Sequence, residues 1–402
     1  MINYKKIGFI GLGKLGLPCA EAMSKKGFDV LGYDVKSVSS NLIQVVASIE
    51  EVCIDRDIIF VAVPTPHEEG YDGREPTSHK EVKDFDYTVL VQVLKKLQSI
   101  LSKDQAVAVI STVLPGTFRS LLNPIFEESG FKGVKQPRLI YNPYLIAMGT
   151  VEADLRNPEM IIIGTRRDAT DPSRESKDLK EHIRALKQFY TILCDVPPRF
   201  EIGRFEDAEC IKIFYNTFIS TKLAIVNMIQ EVGNKLFFTD VDKVTNALAK
   251  SDKRIMGPNY MKAGMGDGGP CHPRDNIALR WLAKNLNLGY DMFETIMTAR
   301  EKQAENMAID ILLYGRNIRF SSNSFKKDSE LIDGSYSLLV QHYIKKHGGT
   351  IVDGLDAPAD VLVRVHDSDL TDVPTQTTIF DPWRTYSSND HLVVHYGKKD
   401  YG

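Results

Sequence analysis

The stretch from Gly264 to Asp275 places a nucleophile, a cation and a carboxylate in one glycine-rich run. Gly264, Gly266, Gly268 and Gly269 precede Cys271, so the backbone can wrap a ligand closely and offer amides to an oxyanion. Arg274 would help hold Cys271 as thiolate, and Asp275 could relay a proton or position a water. The alternative is a buried cysteine in a glycine-rich loop, and that is the reading for Cys19, Cys53, Cys194 and Cys210. Lys212 and Asn216 lie four residues apart and share one helix face. A lysine on a mainly apolar face either snorkels or is held for chemistry, and the residues alone favour snorkelling.

A second chemical signature opens the chain. Ile7 to Ile10 reads as a strand entering Gly11-Leu-Gly13-Lys-Leu15-Gly16, then a helix, then a strand ending at Asp34. Gly11 makes the tight turn, Gly13 lets backbone approach a pyrophosphate, and Gly16 packs the helix closely. The helix N-terminus would face the phosphates. Asp34 would accept hydrogen bonds from an adenosine ribose and repel a 2'-phosphate, favouring NAD over NADP, a preference that Lys36 moderates. The nine histidines form no metal set and read as surface or supporting residues, with His272 alone of interest.

The elements that must position these groups follow from periodicity. From Lys6 to about Pro198, apolar runs at Ile7 to Ile10, Val30 to Tyr33, Ile58 to Val63, Val107 to Ile110, Arg138 to Tyr141 and Met160 to Ile163 alternate with helical stretches, as in a parallel sheet with crossover helices. Arg166 to Lys180 reads as a solvated loop. A long helix from Glu206 to about Phe237 carries Ile211, Tyr215, Phe218, Ile225 and Ile229 on one stripe. A second helical stretch runs from Ala278 to Leu313. Beyond Arg316 the alternation resumes at Ile318 to Phe320, Leu338 to Lys346, Thr350 to Val352, Val361 to Val365 and Thr377 to Phe380. The expected architecture is α/β, with two Rossmann-like doubly wound parallel-sheet domains (1–200 and 311–402) joined by a long-helix central domain (201–310).

Composition excludes other classes. At about 150 residues per domain, 402 residues make two to three domains. Fifty Lys and Arg against 53 Asp and Glu leave a net charge of -3, so no basic field is available for nucleic acid or an anionic membrane. Five cysteines without a CxxC pair suggest neither disulfides nor zinc. No run approaches the roughly 18 apolar residues of a membrane span, and the glycine-broken N-terminus is a poor signal peptide. A reducing cytoplasm fits.

Taken in order, these segments resemble the NAD-dependent nucleotide-sugar 6-dehydrogenases, the UDP-glucose and GDP-mannose dehydrogenase group. The resemblance spans nearly the whole chain. It rests on Gly11 to Gly16, Val63-Pro64-Thr65-Pro66, Ser111-Thr112-Val113, Ala208-Glu-Cys-Ile-Lys212 with Asn216, Arg254 before Gly257-Pro258, the Cys271 run, and Phe325-Lys326-Lys327-Asp328. It implies four-electron oxidation of a sugar C6 alcohol to a carboxylate with two NAD, most simply UDP-glucose to UDP-glucuronate, a polysaccharide precursor. Cys271 would form a thiohemiacetal and then a thioester, which water releases. Lys212 would steady the oxyanion, Asn216 and Asp275 would orient or activate water, and Thr112 would lie near the reacting C6 and the nicotinamide. Leu15, Pro64 and Thr65 would join the cofactor site. Tyr144, Leu145, Tyr260, Gly268, Lys326 and Arg384 would contact substrate, Arg254 would reach into the neighbouring subunit's site, and the long helix would build a homodimer.

The chain departs from the family's pattern at several points. Tyr144 and Met148 stand where acidic residues are usual, and the first of those supports thioester hydrolysis, so Asp275 becomes the candidate base. Arg274 replaces a lysine and His272 an apolar residue. Val35 to Arg56 is shortened, and Asp333-Gly334-Ser335 replaces Arg-Glu-Ser. Two other activities fit parts of the chain: a β-hydroxyacid dehydrogenase, which needs no cysteine, and a degenerate nucleotide-sugar-binding protein in which acid release is impaired.

Overall fold

Strands β4 (Ile58–Val61) and β5 (Ala106–Val109) are apolar throughout because both faces of the sheet that contains them are covered. In the computed structural model this sheet has eight strands, ordered β3-β2-β1-β4-β5-β6-β7-β8. The others are β1 (Lys6–Ile10), β2 (Asp29–Tyr33), β3 (Gln44–Val45), β6 (Arg138–Tyr141), β7 (Ile161–Thr165) and β8 (Phe200–Arg204). Residues described are all except 1, 67–83, 103, 128–136, 148, 167–176, 236–239, 258–262, 267–272, 274–275, 277–279, 281–282, 328–329, 333, 354–357, 371–372, 374–375 and 398–402, with backbone alone at 220, 223–224, 227, 230–231 and 233–235.

Alternate strand residues feed two cores. Ile7, Phe9, Ile58, Phe60, Ala106 and Ala108 face one side, and Ile10, Ile59, Val61, Val107 and Val109 face the other. Helix α1 (Gly16–Lys25) and the later helix α6 (Lys177–Leu193) pack on the first side; α3 (Thr88–Ile100) packs on the second. Helices α2 (Ile49–Cys53), α4 (Asn123–Glu127) and α5 (Val151–Arg156) are short connectors. Chain direction reverses order between β1 and β4, which marks a ligand crevice at the carboxyl ends of those strands. All neighbouring pairs are parallel except β6 and β7, which meet antiparallel at Tyr141 and Gly164.

Helix α7 (Phe205–Lys235) follows, with α8 (Val241–Ala249) and α9 (Met292–Ile311) beyond it. The expected helix from Ala278 to Leu313 is broken: Asn287 and Gly289 take positive φ values of 50° and 83°, and Asp291 caps α9 by accepting from the Glu294 amide at 2.9 Å. The second sheet is all parallel, ordered β10-β9-β11-β12-β13. Its strands are β9 (Asn317–Phe320), β10 (Thr350–Ile351), β11 (Val361–Val363), β12 (Thr378–Asp381) and β13 (Val393–His395), and it packs against α9 and α10 (Tyr336–Lys346). By compactness the chain divides into two units, Met1–Thr221 and Lys222–Gly402, with the division inside α7.

The stripe expected on α7 is only partly covered, with Ile211, Tyr215 and Ile229 half-buried. Ile211 packs on the second core, whereas Phe218 and Ile225 are 54% and 37% exposed. One histidine corrects the surface reading: His182 is fully buried, its Nδ1 2.6 Å from the Tyr4 hydroxyl. The loop expected at Arg166 to Lys180 lies mainly outside the described residues, and Lys177 already begins α6. Among the described residues no helix is long and apolar enough to cross a membrane, and no group of three or more His, Cys, Asp or Glu side chains could hold a metal.

Candidate active site

The Gly11 to Gly16 turn is shaped by two different demands. Gly11 has φ +94°, and a Cβ there would sit 2.7 Å from the Ala62 carbonyl oxygen. A Cβ on Gly16 would run into the Gly11 carbonyl oxygen. The protein itself therefore requires these two glycines. Around Gly13, by contrast, a Cβ would meet no protein atom within 4 Å. The space there is open, and the first turn of α1 has neither a side-chain cap nor an acidic residue to occupy its amides. A pyrophosphate fits that cradle.

Asp34 closes the same loop. Its carboxylate accepts from the Leu12 amide at 2.7 Å and the Lys36 amide at 2.8 Å, while the Gly11 amide donates to the Tyr33 carbonyl at 2.9 Å. A carboxylate has about four acceptor positions, so two remain for ribose hydroxyls. The Lys36 side chain is exposed, and Leu15 is half-buried against the first core.

At the ends of β4 and β5 two loops are stitched together. The Thr65 hydroxyl donates to the Thr112 carbonyl at 2.7 Å, and the Ser111 hydroxyl donates to the Val63 carbonyl at 2.6 Å. Pro64 stays exposed beside them. The turn after Thr112 is held by a residue to which sequence reasoning gave no role. Glu209, fully buried on α7, accepts from the Gly116 and Phe118 amides at 2.6 and 2.7 Å. Burial pushes its pKa up, and the two amide bonds oppose that rise. Its spacing from Lys212, one turn along the same helix, is the signal that could have found it.

Lys212 does not snorkel. Its Nζ donates to the Tyr144 carbonyl at 2.6 Å, and burial pushes its pKa below the usual lysine value. The phenol of Tyr144 points into the first core, 3.2 Å from the Tyr190 hydroxyl, which also bonds the Asn142 side chain. Burial raises the Tyr144 pKa well above its usual value, so Tyr144 presents to Lys212 its backbone and not its ring. Leu145 is half-buried on the second core, and Asn216 is exposed one turn beyond Lys212.

In the second unit, Lys326 is exposed on the loop after β9. Ser324 ties that loop to the end of β11: its hydroxyl donates to the Lys326 carbonyl at 3.0 Å and lies 3.0 Å from His366 Nε2. This is the point at which the order of the second sheet reverses, again a ligand crevice. Arg384, at φ +61°, uses its guanidinium on backbone carbonyls, donating to Tyr396 at 3.1 Å and Ala263 at 2.6 Å. A Cβ on Gly264 would fall inside the Trp383 ring, and one on Gly266 inside the Tyr336 ring. These two glycines therefore serve close packing on aromatic faces. Trp383 is fixed by the buried Asp381, which accepts its amide at 3.0 Å and the Arg364 guanidinium at 3.1 Å. Arg254 is exposed in the turn after α8. Cys271, Asp275, Tyr260, Gly268, Met148, His272, Arg274, Asp328 and Asp333 lie outside the described residues.

The model of the UDP-glucose/GDP-mannose dehydrogenase family NAD binding domain matches residues 35–184, and that of the central domain matches 206–302. A UDP-glucose 6-dehydrogenase from Rickettsia bellii (strain RML369-C) is 24% identical over 382 residues, covering 87% of this chain and 80% of the relative. A GDP-mannose 6-dehydrogenase from Pseudomonas aeruginosa is 26% identical over 338 residues, covering 76% and 70%. The crystal structure of a ternary complex of GDP-mannose dehydrogenase from Pseudomonas aeruginosa superimposes with a TM-score of 0.79 at 21% identity, covering 97% of this chain and 99% of that one, and shares the fold. The two matches together cover more than half of the chain, so the chain belongs to the UDP-glucose/GDP-mannose dehydrogenase family of nucleotide-sugar dehydrogenases, and its cofactor is NAD.

Proposed function

We propose that this chain oxidises the C6 alcohol of a nucleotide sugar, UDP-glucose in the first instance, to the carboxylate. The observation that carries this reading is Lys212: a desolvated ammonium fixed on the Tyr144 carbonyl, on the helix whose Glu209 also holds the turn after Thr112. NAD, when bound in the Gly11 to Gly16 cradle, accepts the hydride at each of two oxidations. The alcohol first loses a hydride and a proton to become an aldehyde near Thr112. The Cys271 thiolate then adds to that aldehyde, and Lys212 steadies the oxygen on which charge collects. Loss of the second hydride leaves a thioester, and water, oriented by Asn216 and activated by Asp275, releases the acid and returns the thiol. A covalent adduct holds the reactive carbon while the reduced cofactor is exchanged.

The buried Tyr144 phenol supplies no base for that last step, which supports assigning it to Asp275. The Lys326 loop and Arg384 belong to the nucleotide-sugar side, with Arg384 acting there through the backbone it grips. We assign residues 1–200 to the cofactor domain, 201–310 to a central helical domain and 311–402 to the nucleotide-sugar domain. A homodimer through α7 and a cytoplasmic location complete the reading; Cys19, Cys53, Cys194 and Cys210 are unpaired, as a reducing compartment favours. The test is stoichiometric. Two NADH per UDP-glucose consumed, with acid formation lost in Cys271→Ser, is the expected result. One NADH per sugar, or acid formed without the cysteine, would overturn it, and turnover of a small hydroxy acid lacking a nucleotide would favour β-hydroxyacid dehydrogenation instead.

A further inference from the structure

Three backbone amides of the turn after Thr112 are held by side chains from elsewhere in the first unit. The Leu114 amide donates to the Tyr87 hydroxyl at 3.1 Å, and that hydroxyl donates to Asp84 at 2.7 Å. The Gly116 and Phe118 amides donate to Glu209, one to each carboxylate oxygen, at 2.6 and 2.7 Å. Glu209 has 0% exposure, and burying a carboxylate is a costly way to hold a turn that a neutral acceptor could also hold. What the carboxylate adds is position, because two charge-assisted bonds to two oxygens fix the turn in direction as well as distance. Three residues further along α7, Lys212 donates to the Tyr144 carbonyl in the loop after β6. One face of the helix therefore grips the loops that follow β5 and β6. A dinucleotide seated at Gly11 to Gly16 sends its adenosine half toward Asp34 on β2. Its nicotinamide half then belongs to the other side of the reversal in strand order, toward β4 and β5.

From this arrangement we propose that Glu209 is a positioning residue for hydride transfer: its grip on the Gly116 and Phe118 amides sets the turn that borders the nicotinamide side of the cofactor site, in register with Lys212. The chemistry rests on the oxidation proposed above, and the geometry rests on the NAD fold alone. Glu209 acts through the turn and touches neither cofactor nor sugar. A small displacement of such a turn misaligns donor and acceptor carbons without removing any group that binds them, so it costs rate and spares affinity. Tyr87 holds the same turn at Leu114, so its removal should produce the same defect in a weaker form.

The test is Glu209→Gln in the full-length protein, a change that keeps the shape but turns a donor nitrogen toward one of the two amides. Two readouts need no sugar. In the cofactor-free protein, hydrogen exchange at Gly116 and Phe118 should quicken by about tenfold or more while Val107 to Val109 in β5 stay protected. In the NADH complex, the nicotinamide emission should move toward that of free NADH while the affinity for ADP-ribose, which lacks the nicotinamide, is unchanged. With UDP-glucose, kcat should fall by about 10²-fold and KM should stay within about twofold. Should Glu209→Gln fail to fold, Tyr87→Phe carries the same three readouts. Unchanged exchange at both amides, or faster exchange with emission and kcat unaltered, would overturn the proposal. So would equal losses in kcat and ADP-ribose affinity, which mark a purely structural role. A parent protein that forms no NADH from UDP-glucose would remove the substrate reading alone, because exchange and emission still decide the role of Glu209.

Discussion

At the scale of single residues, the strongest electrostatic statement concerns Lys212. Desolvation lowers its pKa, so its proton is lost at a lower pH than the roughly 10.4 of an ordinary lysine. If the ammonium steadies an oxyanion, kcat must fall as pH rises through that lowered pKa. Lys212→Ala is expected to reduce kcat by about 10²- to 10³-fold, the usual cost of removing an oxyanion donor. Lys212→Arg keeps the charge at all accessible pH, so its weaker activity should lose the alkaline limb; a limb that persists in the arginine variant would assign it to another group. The strand, glycine turn and strand leading to Asp34 were legible because they are close in sequence. Glu209 was not, because its partners are amides 93 and 91 residues away, brought to it only by tertiary structure.

Between elements, buried polar contacts decide the joints. Glu305 on α9 pairs with Lys302 at 2.6 Å, and with Lys346 at 3.1 Å and His347 at 3.0 Å at the end of α10. Hydrogen bonds from Lys302, Lys346 and His347 depress its pKa to about 2. A depressed carboxylate contributes stability that is present above its unfolded pKa, near 4.5, and lost as pH falls toward about 2. Glu305→Gln should therefore lower Tm at neutral pH and converge on the parent protein through that window; a Tm gap independent of pH would show that the charge is not what joins the helices. The glycine-rich run presents a steric joint. Gly264→Ala places a methyl group against Trp383, an overpacking that costs about 1–3 kcal/mol. The double variant Gly264→Ala with Trp383→Ala should recover part of that loss in a denaturant cycle, whereas strictly additive effects would refute the contact. Central strands were legible from unbroken apolar runs such as Ile58 to Val61. The edge strands β3 and β8 were not, since Gln44–Val45 is too short for a pattern and Phe200–Arg204 is only half-buried, leaving charged Glu201 and Arg204 in it. The helix break at Asn287 needed the positive φ values to be seen.

For the whole molecule, the remaining question is what covers α7. Phe214 and Phe218 are each 54% exposed and Ile225 37%, and their spacing puts all three on one stripe. Burying such side chains contributes about 1.5–3 kcal/mol apiece, which is the driving force assigned to the homodimer. Phe214→Glu with Phe218→Glu should convert a dimer to a monomer in sedimentation velocity; a monomeric parent protein, or a double variant that stays dimeric, would remove α7 from that role. Subunit exchange goes further, because the family resemblance would place Arg254 in the neighbouring subunit's site while Lys212 serves its own. Lys212→Ala and Arg254→Ala homodimers are each expected to be inactive. Exchange by mild dissociation and reassembly yields mixed dimers in which one site holds both intact residues, so about a quarter of the parent activity should return at statistical mixing. If both residues serve the same subunit, every site in the mixture keeps one defect and no activity returns. The reappearance of activity therefore tests the dimer and the placement of Arg254 together.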